Sequence, residues 1–250
     1  MDRSVLTIAG FDTCGGAGIH ADIKTINALG FHPSSVITAI TFQNTCRISG
    51  LMPVPPDVVE KQISAILEDL DVASIKIGMV CNMEIARTIS ENIKKIDVPK
   101  VLDPVITASV GFELGSKEVY EVVARACSVI TPNVEEAMQF AGVKIDGVET
   151  AIQAAKKIAE KLGCSVVITG GGLGGKDVVY DIQQNEHSII EGELIKAEVH
   201  GTGCVYSSTL ACYLAKGYSL DDSCQMAREF VLNAVRKAKT VGECLPVVNP

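Results

Sequence analysis

The chain has 250 residues, 47% of them apolar and 21% charged, with no tryptophan and a net charge of −8. That length and composition suit one sizeable α/β core and exclude a disordered or low-complexity chain. The acidic balance excludes a duplex-binding or membrane-surface protein, which needs concentrated basic surface, and leaves an anionic small substrate open.

The N-terminus lacks a signal peptide's long apolar core, and no apolar run reaches bilayer length, so the expectation is a cytoplasmic protein with no membrane partner. A first strand over 5–9 runs into Ala9-Gly10-Phe11-Asp12-Thr13-Cys14-Gly15-Gly16-Ala17-Gly18, and a helix follows over 17–29. Four glycines leave little side chain between this backbone and a ligand, and Asp12 supplies an acceptor. The G-x-G-x-x-G order of a dinucleotide loop is absent, as is the Gly-Lys-Ser/Thr of a P-loop. The loop reads as the wall of a small-substrate site or as a tight strand-to-helix turn.

A second strand over 35–41 leads to Gln43 and Asn44, whose amides carry both donor and acceptor. Gln43 can read a heteroaromatic ring edge, surface solvation being the plain alternative. After a helix over 56–67, a strand over 75–77 ends at Gly78-Met79, where a flexible thioether suits either a flat ring or the core. A helix over 83–93 precedes a strand over 101–103, which puts Asp103 at a strand terminus before Pro104, a position suited to a metal or metal-bound water. Beyond a helix over 117–126, a strand over 129–131 ends at Pro132. Asn133 and Glu136 then open a helix over 134–141 as cap and third residue, so a capping box and a place beside magnesium and phosphate are both open.

A helix over 151–162 and a strand over 165–169 lead into Thr169-Gly170-Gly171-Gly172, where main-chain donors can approach an anion. A strand over 178–182 and a strand or loop over 191–200 precede Gly201-Thr202-Gly203-Cys204 and helices over 205–215 and 220–239. Two glycines at that helix start expose free amides and the positive end of a helix dipole, an anion site, and the same position lowers the pKa of a thiol. A tight turn with a small buried cysteine is the alternative. The nine cysteines show no CxxC spacing and no Cys/His cluster with zinc-ligand spacing, which predicts reduced thiols.

Short apolar strands alternate with amphipathic helices, without a linker or repeat. This predicts one three-layer, doubly wound, mostly parallel α/β domain over 1–250, with ligands beyond the carboxyl ends of the strands.

The ordered motifs Gly15-Gly16-Ala17-Gly18-Ile19-His20-Ala21-Asp22-Ile23-Lys24, Thr41-Phe42-Gln43-Asn44-Thr45, Lys76-Ile77-Gly78-Met79, Leu102-Asp103-Pro104-Val105, Ile130-Thr131-Pro132-Asn133 and Gly201-Thr202-Gly203-Cys204 resemble the ribokinase superfamily. Within it they look most like the hydroxymethylpyrimidine and phosphomethylpyrimidine kinases of thiamine biosynthesis. The resemblance spans nearly the whole chain and implies a ribokinase-like kinase using ATP and Mg²⁺, and a homodimer. It implies that Gly10, Asp12, Gln43 and Met79 meet the pyrimidine, and that Asp103 and Glu136 serve the metal. Asn133, Glu136, Thr169 and Gly171 would lie toward the nucleotide, Gly201, Thr202 and Gly203 would form the anion hole, and Cys204 would meet the acceptor hydroxyl. A pyridoxal or pyridoxine kinase and a catalytically degenerate pyrimidine- or nucleotide-binding protein are the alternatives. The chain departs from the subgroup at Phe11, Cys14 and His20, and lacks two lysines expected near 108–111 and 168–172, for one of which Lys176 is a candidate substitute.

Overall fold

The computed structural model describes residues 2–193 and 198–250; of the segment read as strand or loop at 191–200, positions 194–197 lie outside the described residues. Strands β1 (Ser4–Phe11), β2 (His32–Gln43), β3 (Ile48–Pro53), β4 (Val72–Ile77), β5 (Lys100–Leu102), β6 (Val129–Ile130), β7 (Ser165–Ile168), β8 (Lys176–Asp181) and β9 (Glu186–Glu191) form one sheet in the order β3-β2-β1-β4-β5-β6-β7-β8-β9. β2, β1 and β4 to β7 pair in parallel, whereas β3, β8 and β9 join antiparallel at the two ends.

The helices are α1 (Gly18–Ala28), α2 (Pro56–Leu67), α3 (Met83–Ile93), α4 (Lys117–Ala124), α5 (Val134–Ala141), α6 (Val148–Leu162), α7 (Thr202–Ala215) and α8 (Leu220–Arg236). Strict alternation along the strands sends neighbours to opposite faces. Leu6, Leu102 and Val166 enter the cluster with residues of α2 to α6, while Val5, Val101 and Val167 pack with α1, α7 and α8. Both faces are therefore apolar, and the architecture is the mostly parallel sheet between helix layers that the strand pattern predicts. On α7 every residue from Val205 to Cys212 is buried, the hydroxyls of Ser207 and Ser208 being satisfied by buried carboxylates. No helix among the described residues is long and apolar enough to cross a membrane.

Two strands, β3 and β9, lie outside the sequence expectation. Both are edge strands with mixed, partly exposed side chains, so neither shows the continuous apolar run of a covered strand. A second difference concerns the thiols. Cys127, Cys164, Cys212 and Cys224 are buried and free, but Cys46 and Cys244 form a disulfide, with their Cα atoms 5.0 Å apart. The partners stand 198 positions apart, so no local spacing announces the pair.

Candidate active site

The order of strands reverses between β1 and β4, and a cavity of about 470 Å³ opens there at the carboxyl ends of the parallel strands. Every residue expected to act lines it: Gly10, Asp12, Gln43, Met79, Asp103, Asn133, Glu136, Thr169, Gly171 and the run from Gly201 to Cys204.

The loop after β1 is folded around Asp12. Its Oδ1 accepts from the Cys14 amide at 2.9 Å, and its Oδ2 accepts from the Gly16 and Ala17 amides at 3.0 and 2.8 Å and from His200 Nε2 at 3.1 Å. Burial works against the charge, yet the hydrogen bonds from His200 and Cys14 hold the carboxyl at about 2. Asp12 thus reaches the cavity wall, but its oxygens are engaged by its own loop. The Met79 sulfur lies over Gly10, where a β-carbon would stand 2.6 Å from it, so the thioether forms a wall only because Gly10 has no side chain.

Gln43 ends β2 with its terminal amide 2.9 Å from His200 Nε2. Thr41 Oγ1 lies 3.1 Å from both the Phe11 carbonyl oxygen and the far atom of that amide. One hydroxyl proton cannot serve two acceptors, and an imidazole nitrogen donating to Asp12 cannot also accept from an amide N–H. Turning the Gln43 oxygen toward His200 and its NH₂ toward Thr41 gives Thr41 a donor and leaves the His200 Nε2–H shared, as a bifurcated donor, between Asp12 Oδ2 and Gln43.

At the start of α7, Gly201 adopts φ +94° and no side chain caps the helix. A β-carbon on Gly201 would run into the Gly16 carbonyl, so the two glycine loops interlock. The uncapped first turn leaves amide donors and a positive dipole end at the cavity. Cys204 stands there with part of its surface open, but burial pushes its thiol up to about 12 even though Lys76 and the Gly18 amide favour the thiolate. Burial thus works against the activated thiol that the helix start suggests.

Across the cavity Asp103 is buried and accepts from Ser207 Oγ at 3.1 Å, with burial raising its pKa. Asn133 and Glu136 form a full capping box: Asn133 Oδ1 accepts from the Glu136 amide and Glu136 Oε2 from the Asn133 amide, each at 2.9 Å. Glu136 Oε1 also accepts from the Ile106 amide at 3.2 Å. Burial, and then the charge of Asp103, push Glu136 up to about 8. Capping and a place in the cavity are therefore both realised by the same two residues.

The structure adds residues that no motif indicated. Asp177 on β8 accepts from the Gly170 amide at 2.6 Å, from Arg228 Nη1 at 2.7 Å and from Tyr206 Oη at 2.9 Å, and all three side chains line the cavity. Arg228 had one legible signal, since it falls on the buried stripe of α8 with Cys224 and Ala227. His200 had none. Lys176, the candidate substitute for a missing lysine, pairs with Glu191 at 2.7 Å and does not line the cavity.

The model of the phosphomethylpyrimidine kinase family matches residues 12–249. The chain belongs to that family. A hydroxymethylpyrimidine/phosphomethylpyrimidine kinase from Aquifex aeolicus is 37% identical over 246 residues, covering 95% of this chain and 96% of the relative. The phosphomethylpyrimidine kinase crystal structure from Clostridium difficile 630 superposes with a TM-score of 0.81 at 34% identity, over 93% of this chain and 99% of that one. An ADP complex of Bacillus subtilis pyridoxal kinase gives a TM-score of 0.88 at 31% identity, over 100% and 97%. This member of the phosphomethylpyrimidine kinase family is a kinase, and its fold is ribokinase-like.

Proposed function

We propose that this kinase transfers the γ-phosphoryl group of ATP to the hydroxyl of hydroxymethylpyrimidine, to its monophosphate, or to both in turn. The observation that carries the reading is the placement of the α7 start against Asp103: a β-carbon on Gly203 would stand 3.7 and 3.8 Å from its carboxylate oxygens. An anion-holding turn and a metal-suited carboxylate thus face each other across one gap, which is what moving a phosphoryl group between two oxygens requires.

The amides of Gly201, Thr202 and Gly203 cradle the transferring phosphoryl oxygens. Gly10, Gln43 and Met79 frame the acceptor ring, with Asp12 fixing the loop that carries Gly10. Asn133, Thr169 and Gly171 lie toward the nucleotide phosphates. Cys204 keeps its proton and orients the acceptor hydroxyl, whose own proton is needed elsewhere only late in a loose transfer.

The residues fit a hard divalent cation. Among the described residues the cavity is lined by the carboxylates Asp12, Asp103, Glu136, Asp177 and Glu193 against one guanidinium, Arg228, a poor setting for a polyphosphate without added positive charge. Asp103 and Glu136 offer oxygen donors only, the set Mg²⁺ prefers. When bound, Mg²⁺ neutralises phosphate charge. The homodimer implied by the resemblance belongs to this proposal and is read by light scattering.

The test is turnover of purified protein with ATP and each of three acceptors: hydroxymethylpyrimidine, its monophosphate and pyridoxal. Faster turnover of pyridoxal overturns the reading. Pyridoxal is the second reading because Staphylococcus aureus pyridoxal kinase with AMP-PCP also aligns over 100% of this chain, at a TM-score of 0.88.

A further inference from the structure

Asp12, Cys14 and His200 bring one carboxylate oxygen, one sulfur and one imidazole nitrogen within 4.8 Å of one another. Cys14 Sγ donates to Asp12 Oδ2 at 3.5 Å, and His200 Nε2 donates to the same oxygen at 3.1 Å. Gln43, oriented as its neighbours demand, adds an amide oxygen 2.9 Å from His200 Nε2. We propose that these four side chains form a binding site for a thiophilic divalent cation of the zinc class, distinct from the oxygen-only carboxylates at Asp103 and Glu136.

The spacing carries the argument. Tetrahedral bonds of about 2.0 Å to nitrogen and oxygen and about 2.3 Å to sulfur set ligand atoms about 3.3 Å (N···O) and about 3.5 Å (S···O) apart. The observed separations of 3.1 and 3.5 Å match two edges of such a tetrahedron, and the remaining Cys14–His200 pair lies within 4.8 Å. Ligating carboxylates are normally oriented by outer hydrogen bonds, and the Gly16 and Ala17 amides already hold Oδ2 in that way. Sulfur and imidazole select zinc-like ions over magnesium. On binding, the thiol proton leaves to solvent and the imidazole proton passes from Nε2 to Nδ1, which has no partner among the described residues. The chain positions of 14 and 200 hide this cluster from any spacing rule.

Gln43 and His200 line the cavity, so a bound cation occupies the polar edge offered to the acceptor ring. Zinc then inhibits by competing with the acceptor and not with ATP. This consequence rests on the acceptor reading above, whereas the metal site does not.

Titration of the full chain with Co²⁺ tests the site. The expected result is one equivalent bound with a near-ultraviolet thiolate-to-cobalt band. Cys14→Ser and Cys14→Ala should each abolish the band and weaken cobalt binding at least tenfold, while Cys204→Ser keeps both. A band that survives in the Cys14 variants, or that disappears in Cys204→Ser, overturns the site. Zinc inhibition that acceptor does not relieve, with the cobalt band intact, overturns only the inhibitory consequence.

Discussion

Lys76 Nζ lies 2.9 Å from both carboxylate oxygens of Asp22, and neither side chain reaches solvent. Thr7 Oγ1 donates to Asp22 Oδ2 at 2.5 Å and Ser208 Oγ to Oδ1 at 2.8 Å, so the pair ties β1, β4, α1 and α7 together. Ser208 stands one turn beyond Cys204 on α7, which makes this cluster the footing of the helix whose start lines the cavity. Burial works against the ammonium, but the carboxylate of Asp22 holds Lys76 charged, well above the usual lysine range. Removing one partner leaves a buried charge alone. Lys76→Met should therefore lose about 3–5 kcal/mol in urea unfolding, and the double variant with Asp22→Leu should regain a large part of it. Additive losses in the two single variants would sink this account.

The two glycines of the anion turn should separate folding from catalysis. Gly201 has φ +94° and abuts the Gly16 carbonyl, so Gly201→Ala should destabilise the fold by at least about 2 kcal/mol and abolish turnover. A β-carbon on Gly203 meets the Asp103 oxygens only at ordinary contact distance. Gly203→Ala should keep the wild-type Tm while kcat falls about 10²-fold, because the methyl enters the space of the phosphoryl group. Equal melting losses in both variants would count against the distinction.

At Cys204 the sign is fixed by burial. With the thiol pushed up to about 12, the thiolate fraction at pH 8 is on the order of 10⁻⁴. Iodoacetamide should label the Cys204 peptide at least about 100-fold more slowly than an unstructured cysteine, by mass spectrometry, with no inflection between pH 7 and 9. If Cys204 orients the acceptor hydroxyl as proposed, Cys204→Ala should lower kcat much more than it raises the KM for ATP. An unchanged kcat would reduce Cys204 to a packing residue.

How far the sequence reached follows from what kind of signal each feature carries. Covered strands such as β1 and β7 write short, largely apolar runs, and the Asn133–Glu136 box writes the start of α5; these were legible. The edge strands β3 and β9 are half solvated and wrote nothing comparable. Glycine-rich turns at strand ends located the cavity because backbone approach needs residues without side chains. The buried polar side chains did not announce themselves in the same way. Asp177, Arg228 and His200 owe their places to partners 29 to 188 positions distant, and only contact in three dimensions pairs them. Asp12 was legible as a site residue but not as the organiser of its own loop, since amide donors carry no sequence signature.

Asp12 also sets an acid limit. Its folded value of about 2 lies below the unfolded value of about 4, so its contribution is complete above pH 4 and is lost as pH falls toward 2. The difference of about 2 in pKa corresponds to about 2.7 kcal/mol. In metal-free buffer, Asp12→Asn should cost about that much at pH 7 and progressively less below pH 4, as read by urea unfolding at several pH values. A gap between variant and wild type that stays constant down to pH 2 would show that the carboxylate charge is not what holds the loop.

The disulfide ties the C-terminal tail beside the Gln43 and His200 side of the cavity. Cys46 lies just past Gln43 in the turn between β2 and β3, and Cys244 starts a segment that reaches His200. There the His200 amide donates to the Pro246 carbonyl at 2.9 Å, and the Val248 amide donates to the His200 carbonyl at 3.0 Å. A cross-link between positions 198 apart restricts the unfolded chain strongly, by about 5 kcal/mol in the chain-entropy model, with about 2–4 kcal/mol typical of measured bridges. Cys244→Ser should therefore lower unfolding free energy by about 2–4 kcal/mol without reductant, and dithiothreitol should do the same to wild type while leaving the variant unmoved. Because the freed tail no longer braces His200 beside Gln43, the KM for the acceptor should rise in both cases with the KM for ATP unchanged. A dithiothreitol response that persists in Cys244→Ser would assign the effect to other thiols.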